Sequence, residues 1–286
     1  MNSAIRAEIG AALGARVTDA RSLSGGSISA AWRLALADGR TAFAKTNASA
    51  PRDMFPREAE GLAALAGPGI LRVPRVLAAE PRFIVLEWIE PGRADAAAMA
   101  RFGEALAAHH RATARAGDYG FAHDNYIGST PQANAPLADW VGFWRERRLL
   151  PQLALARRHG RGDAALQRLG ERLAARLGEW LDPAEPGCLL HGDLWSGNLL
   201  AAAKGPAAVI DPAAYRGARE ADLAMMLLFG GFGGPCLEAY CAAWPLAPGQ
   251  RDRIAIYQVY HVLNHLNLFG EPYGGQARAM MEALVG

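Results

Sequence analysis

The spacing of apolar residues changes about a third of the way along the chain, and the change divides it in two. Residues 1–17 set Arg6, Glu8 and Arg16 among apolar positions at helical spacing and predict a short amphipathic helix. Residues 17–23 and 28–36 then read as strands on either side of Ser24-Gly25-Gly26-Ser27. An Asp38-Gly39 turn leads into a third strand ending near Lys45, since Asp-Gly between strand-like runs signals a hairpin. Residues 53–66 carry helical periodicity and are closed by Gly67-Pro68-Gly69, after which 75–79 and 82–88 return to strand patterning. Beyond Glu90-Pro91-Gly92-Arg93 the period becomes that of helices, at 94–116, 137–159 and 163–181. Short strands at 198–202 and 207–210 interrupt it before helices resume at 220–229, 235–244, 250–269 and 275–285.

The pattern predicts an α+β chain with a small β-rich lobe over 1–90, a larger helical lobe over 91–286 and a cleft between them. Composition narrows the partners. Apolar residues make up 51% and charged residues 20% of the 286, so a sizeable core is available. The net charge is +2, with 11 basic and 9 acidic residues before Gly92 and 19 of each from there on. Neither part has the basic footprint of a nucleic-acid partner. The uncharged run 223–237 is too short to span a bilayer and is broken by glycines and Pro235, and the start lacks the apolar block of a secretory signal. Cys188, Cys236 and Cys241 match no zinc spacing and cannot make a disulfide framework. No membrane partner is expected, and the cytoplasm is the default location.

The chemistry concentrates in His191-Gly192-Asp193-Leu194-Trp195-Ser196-Gly197-Asn198, followed thirteen residues after Asn198 by Asp211 in Ile210-Asp211-Pro212. Protein kinases carry H-R-D-L-x-x-x-N and then a further Asp; Asp193 to Asn198 has the same step, with Gly192 in place of the Arg. A carboxylate, a carboxamide and a second carboxylate at this spacing suit phosphoryl transfer in a protein-kinase-like two-lobed fold. Asp193 is the candidate general base, orienting an acceptor hydroxyl and taking its proton. Asn198 and Asp211 are hard oxygen donors, the candidate ligands of Mg²⁺ on the phosphates of ATP. His191 could serve as an acid or base, but its place in the motif favours a scaffold role on the loop backbone. Asp222, at a helix start, is a candidate to bond that loop. Asp211-Pro212 replaces Asp-Phe-Gly, so Phe-dependent switching is not expected, and the interval to Glu220 leaves little room for a peptide-binding segment.

Only Lys45 and Lys204 among the 30 basic residues are lysine, which singles out Lys45 inside an apolar strand. A compact ammonium there suits the α- and β-phosphates of ATP. Glu58, thirteen residues on, is its candidate partner, with Glu60 as the competitor on a different helix face. Gly25, Gly26 and Ser27 sit where a phosphate-covering loop belongs, although they match neither G-x-G-x-x-G nor the Walker pattern. Glu87, Trp88 and Ile89, at the crossing between lobes, are placed to offer backbone groups to adenine.

Leu189 to Asn198, and Leu-Trp-Ser-Gly inside it above all, resembles the signature of the fructosamine (ketosamine) kinase family, related to aminoglycoside and choline kinases. Phe55-Pro56-Arg57-Glu58, Pro131-Gln132-Ala133-Asn134, Trp140, Phe143, Ile210-Asp211-Pro212-Ala213, Leu228 to Phe232 and Leu263 to Gly270 are similar in the same order. The resemblance implies ATP-dependent phosphorylation of the sugar 3-hydroxyl of a ketosamine, free or on a glycated lysine, giving an unstable product that releases the amine. It also brings Trp195 and His265 forward as candidate substrate residues: an indole could pack on a sugar ring or a cationic amine, or simply plug the loop onto the core. The family often carries a cysteine in its glycine-rich loop; Ser27 stands there, so a disulfide-linked dimer through that loop is not expected. Two rivals stay open: an aminoglycoside- or amino-alcohol-type phosphotransferase, and a non-catalytic nucleotide-binding module. The residues do not specify an oligomeric state.

Overall fold

The computed structural model describes residues 1–23, 28–270 and 272–286. Helix α1 (Ser3–Leu13) is capped by the Asn2 side chain, which accepts from the Ile5 N–H, and it ends at Gly14 in the left-handed region. Strands β1 (Val17–Leu23), β2 (Ala30–Leu36) and β3 (Thr41–Thr46) follow, then α2 (Met54–Ala66), β4 (Val76–Glu80) and β5 (Phe83–Glu87). They form one antiparallel sheet in the order β1-β2-β3-β5-β4. Both faces are covered, which explains the continuous apolar runs of β3 and β5. Ala42, Ala44, Phe83 and Val85 face α1, whereas Ile84 and Leu86 join Phe55 and Leu62 of α2, with Phe43 packed against them. Alternation therefore puts Lys45, two residues beyond Phe43, on the α2 side of the sheet.

The C-terminal part is mainly helical: α3 (Ala96–Thr113), a hairpin of β6 (Asn125–Ile127) and β7 (Thr130–Gln132), α4 (Trp140–Phe143), α5 (Leu150–Arg158) and α6 (Ala164–Arg176). Strands β8 (Cys188–Leu190), β9 (Leu199–Leu200), β10 (Ala208–Val209) and β11 (Tyr215–Gly217) precede α7 (Glu220–Leu228), α8 (Gly234–Ala243), α9 (Gln250–Phe269) and α10 (Tyr273–Val285). Trp140, Phe143, Trp144, Tyr257 and Tyr260 form the aromatic centre of its core, each ring burial being worth about 1.5–3 kcal/mol. Helices α3 and α8 approach closely at Gly103, where a β-carbon would run into the Cys236 carbonyl.

Several boundaries differ from the sequence expectation. The helix expected over 137–159 begins at Trp140, because Leu137 exchanges backbone hydrogen bonds with Tyr119. It also contains a π-helical turn over Trp144–Leu149, which carries Arg148 into the core. The helix expected over 163–181 ends at Arg176 in a 3₁₀ turn. Asn198 lies in a 3₁₀ turn rather than at the start of a strand, and the three-residue strands β6, β7, β8 and β11 were not anticipated.

The β9–β10 hairpin is bonded to the N-terminal part and to the crossing at Glu90–Gly92 as well as to itself. Gly92 N–H donates to Ala201, Ala203 N–H to Glu90 and Val209 N–H to Arg72, at 2.8, 2.8 and 3.0 Å. The Arg72 guanidinium adds bonds to the carbonyls of Lys204 and Pro206. A side chain at Gly92 would collide with the Ala202–Ala203 backbone, which is why the chain needs glycine there. Among the described residues no helix is long and apolar enough to cross a membrane.

Candidate active site

Strand β3 and helix α2 bring Lys45 and Glu58 together at 2.7 Å. Glu60 turns elsewhere, accepting from Arg57 at 2.5 Å and facing His123 at 3.0 Å, so Glu58 is the partner of Lys45. The ammonium also reaches the Asp211 carboxylate at 2.9 Å. One cation thus lies between two carboxylates in a largely buried pocket. Burial works against the ammonium, but Asp211 and Glu58 outweigh it and hold Lys45 above its ordinary value. Burial, with Asp211 reinforcing it, pushes Glu58 up to about 7 in spite of Lys45. The pocket has a surplus of negative charge that a bound cation would offset.

Asp193, Asn198 and Asp211 come together from the loop after β8 and the two ends of the β9–β10 hairpin. Asn198 Nδ2 donates to the Asp193 carbonyl at 2.9 Å and lies 3.4 Å from both Asp193 Oδ2 and the Asp211 carbonyl. Its Nδ2 is therefore occupied, and among the described residues no group donates to its Oδ1. Burial, then the neighbouring Asp211 charge, pushes Asp193 up to about 7 against the Asn198 hydrogen bond. Asp211 adopts a positive φ of 57° immediately before a proline, a sparsely populated conformation that surrounding bonds must hold.

The loop itself is held by His191 and Asp222. The two Asp222 oxygens accept from the N–H groups of His191 and Gly192, both at 2.8 Å. His191 Nε2 lies 2.8 Å from the Ile210 carbonyl, and its Nδ1 faces the Asp193 N–H at 3.3 Å, so both ring nitrogens are engaged with backbone. Gly192 has φ 82°, and a β-carbon there would strike the Ala213 carbonyl. Behind Asp222, His110 Nε2 sits 3.2 Å from Oδ2 and His110 Nδ1 sits 2.9 Å from the Tyr240 hydroxyl. His110 and Tyr240 had no sequence signal: they lie on α3 and α8, 130 positions apart.

Inside Leu-Trp-Ser-Gly the Trp195 indole lies over Gly197, so a β-carbon there would have to push the ring aside. The indole is 40% exposed and meets the edge of Phe229 at 6.5 Å. Phe229 stands 4.9 Å from the His265 ring, which in turn approaches Phe269 and Tyr273 at 5.5 and 5.1 Å. A partly exposed aromatic row thus runs from the Asp193–Asn198 loop to α9. Glu87 closes β5 opposite Ala42, and Trp88 and Ile89 follow it at the crossing between lobes. Gly25, Gly26 and Ser27 lie outside the described residues. The segment after Asp211 enters β11 directly and pairs with β8, which leaves no extended activation segment.

A five-stranded antiparallel sheet, a mainly helical C-terminal part and this cleft define a kinase-like ATP-dependent phosphotransferase. The fructosamine kinase family model matches residues 1–286, and the chain belongs to that family. It is 40% identical over 275 residues to "Probable ketoamine kinase" of Synechocystis sp., covering 93% of this chain and 90% of that one. It is 39% identical to a chloroplastic protein-ribulosamine 3-kinase of Oryza sativa subsp. japonica, covering 93% and 79%. The crystal structure of a fructosamine-3-kinase candidate from Thermobifida fusca superposes with a TM-score of 0.89 at 35% identity over 99% of both chains. A choline kinase from Streptococcus pneumoniae shares the fold alone, at a TM-score of 0.66, 15% identity, and 99% and 97% coverage.

Proposed function

We propose that the protein transfers the γ-phosphoryl group of ATP to the sugar 3-hydroxyl of ketosamines of the fructosamine or ribulosamine type, as a deglycating or metabolite-repair kinase. The observation that carries the reading is the convergence of Lys45, Glu58, Asp193, Asn198 and Asp211 on one cleft, with Lys45 in contact with both Glu58 and Asp211. A non-catalytic nucleotide module has no need of that whole set.

In this reading Lys45, steadied by Glu58, binds the α- and β-phosphates. The backbone of Glu87, Trp88 and Ile89 meets adenine. Gly25, Gly26 and Ser27 cover the phosphates. Asn198 Oδ1 and the Asp211 carboxylate suit a hard divalent cation, whose remaining ligands would be phosphate oxygens and water. Among the described residues no cluster of three or more His, Cys, Asp or Glu could hold a metal unaided, which fits a cation shared with the nucleotide. Bound Mg²⁺ would offset the negative charge that develops on the transferring phosphoryl group. Asp193 orients the acceptor hydroxyl and takes its proton as the new O–P bond forms and the bond to the ADP leaving group breaks. Its elevated pKa suits that task near neutral pH. His191 and Asp222 keep the loop in place.

Trp195 and His265 form part of the acceptor side. His265 Nδ1 lies 2.8 Å from the His261 carbonyl, and burial lowers the pKa of the ring. Neutral His265 donating from Nδ1 would leave Nε2 able to accept a hydrogen bond from a sugar hydroxyl. The lobe division at 90/91 and a cytoplasmic location complete the proposal, the latter supported by the free buried thiols of Cys188 and Cys236. Incubation with Mg²⁺-ATP and a panel of fructosyl- and ribulosyl-amines, free and on lysine peptides, should release ADP and yield a 3-phosphorylated sugar. Asp193→Asn should lower turnover by about 10²–10⁴-fold while still binding nucleotide. Absence of phosphorylated ketosamine, with turnover of an aminoglycoside in the same panel, would refute the substrate assignment.

A further inference from the structure

The β6–β7 hairpin and the π turn contain a buried polar chain that the reaction as described does not use. Arg148 and Asn134 are fully buried and Asn125 and Gln132 nearly so. Among the described residues no carboxylate pairs with Arg148, whose guanidinium instead lies 3.9 Å over the Tyr215 ring and donates to the Ala133 carbonyl. It also donates to Asn134 Oδ1 at 2.8 Å. A guanidinium can only donate, so Asn134 must present its oxygen to Arg148 and its amide nitrogen to the next group. That nitrogen donates to Asn125 Oδ1 at 2.8 Å, which turns Asn125 Nδ2 toward the Ala214 carbonyl, also at 2.8 Å. Gln132 Nε2 bridges Asn125 Oδ1 and the Ala213 carbonyl at 2.8 and 3.0 Å, and its Oε1 accepts from the Tyr260 hydroxyl at 2.7 Å. One cation thus fixes the polarity of a chain that ends as two donors on the carbonyls of Ala213 and Ala214.

Those carbonyls lie two and three residues after Asp211, whose left-handed backbone precedes Pro212. From the opposite side the Ala213 N–H donates to the His191 carbonyl at 2.9 Å. Helix α2 closes over the corner at Gly61, where a β-carbon would touch Pro212 and Ala214. We propose that Asn125 and Gln132 are positioning residues for Asp211: by gripping the Ala213 and Ala214 carbonyls they hold the corner that aims its carboxylate into the cleft. The inference rests on Asp211 acting as a metal ligand and assigns to the hairpin the support of that ligand.

Asn125→Asp keeps shape but puts a carboxylate oxygen against the Ala214 carbonyl. Tyr260→Phe removes a hydroxyl that donates to Gln132 and also meets Gln152. The readouts are the Mg²⁺ activation constant of ATP turnover, Mn²⁺ affinity of the nucleotide complex by electron paramagnetic resonance, and KM for the ketosamine. Asn125→Asp should raise the Mg²⁺ constant and weaken Mn²⁺ by about tenfold or more, Tyr260→Phe by about two- to fivefold, with ketosamine KM unchanged. If Asn125→Asp fails to fold, Tyr260→Phe carries the test. Unshifted metal constants in the folded variants, beside an Asp211→Asn control that does lose metal, would overturn the positioning role. An Asp211→Asn protein with undiminished Mn²⁺ affinity would instead overturn the ligand assignment on which the proposal stands.

Discussion

Replacing Asp222 with Asn tests the idea that the catalytic loop is held from below. The carboxylate accepts from two backbone N–H groups, one per oxygen, and Oδ2 also faces His110. An amide has one acceptor oxygen, so whichever way it is turned, its NH₂ group opposes the N–H of either His191 or Gly192. One charge-assisted hydrogen bond is lost and its buried N–H is left unpaired, together worth about 1.5–3 kcal/mol. Asp222→Asn should therefore destabilise the protein by about 1.5–3 kcal/mol, a sizeable part of the stability of an ordinary domain. The pH dependence supplies a second check. Burial alone would raise the Asp222 pKa, but the His110 contact and backbone donors outweigh it and hold the group below its ordinary 3.8. A depressed folded pKa stabilises above the unfolded value, and the effect is lost as pH falls through the folded one. The gap between wild type and Asp222→Asn should be open at neutral pH and close below about pH 4, as the protonated acid comes to resemble the amide. Urea unfolding across this range, with the denaturant slope unchanged, measures it. Turnover of the folded variant should fall more than ATP binding. A difference under about 1 kcal/mol at neutral pH, or one that widens in acid, would refute the argument.

Lys45→Met leaves Glu58 and Asp211 facing each other without their cation; ATP affinity should fall by about tenfold or more, and Glu58 should stay protonated to higher pH, as infrared carboxyl bands would report. Trp195→Ala should raise KM for the ketosamine by about three- to thirtyfold, in line with about 0.5–2 kcal/mol of ring contact, and leave KM for ATP unchanged in steady-state assays. Gly103→Ala inserts a methyl group between α3 and α8 at the Cys236 carbonyl, which should cost about 1–3 kcal/mol by thermal melting while activity per folded molecule is retained.

The cleft was legible wherever chemistry and local period coincide. Alternation along β3 put Lys45 on the face opposite Ala42 and Ala44, and the Asp193–Asn198–Asp211 spacing survives as a hairpin with its functional groups at both ends. Glu58 could be separated from Glu60 only by helix face, and the observed pairing follows that argument. Strands of three residues carry too little alternation to be seen, so β6, β7, β8 and β11 stayed hidden. The π turn was equally silent, because Trp144 to Leu149 reads as ordinary helix until the extra residue rotates Arg148 inward. His110 and Tyr240 meet Asp222 only through the packing of α3, α7 and α8, a long-range fact with no local trace.

The backbone bonds from the β9–β10 hairpin to Glu90, Gly92 and Arg72 have a consequence for how the molecule comes apart. Separating the N-terminal sheet from the helices would break the bonds to Glu90 and Arg72 and strip the hairpin between Asn198 and Asp211 of outer partners. Neither half can then melt while the other keeps a working site, so heat or denaturant should register one cooperative transition in which fluorescence and activity vanish together.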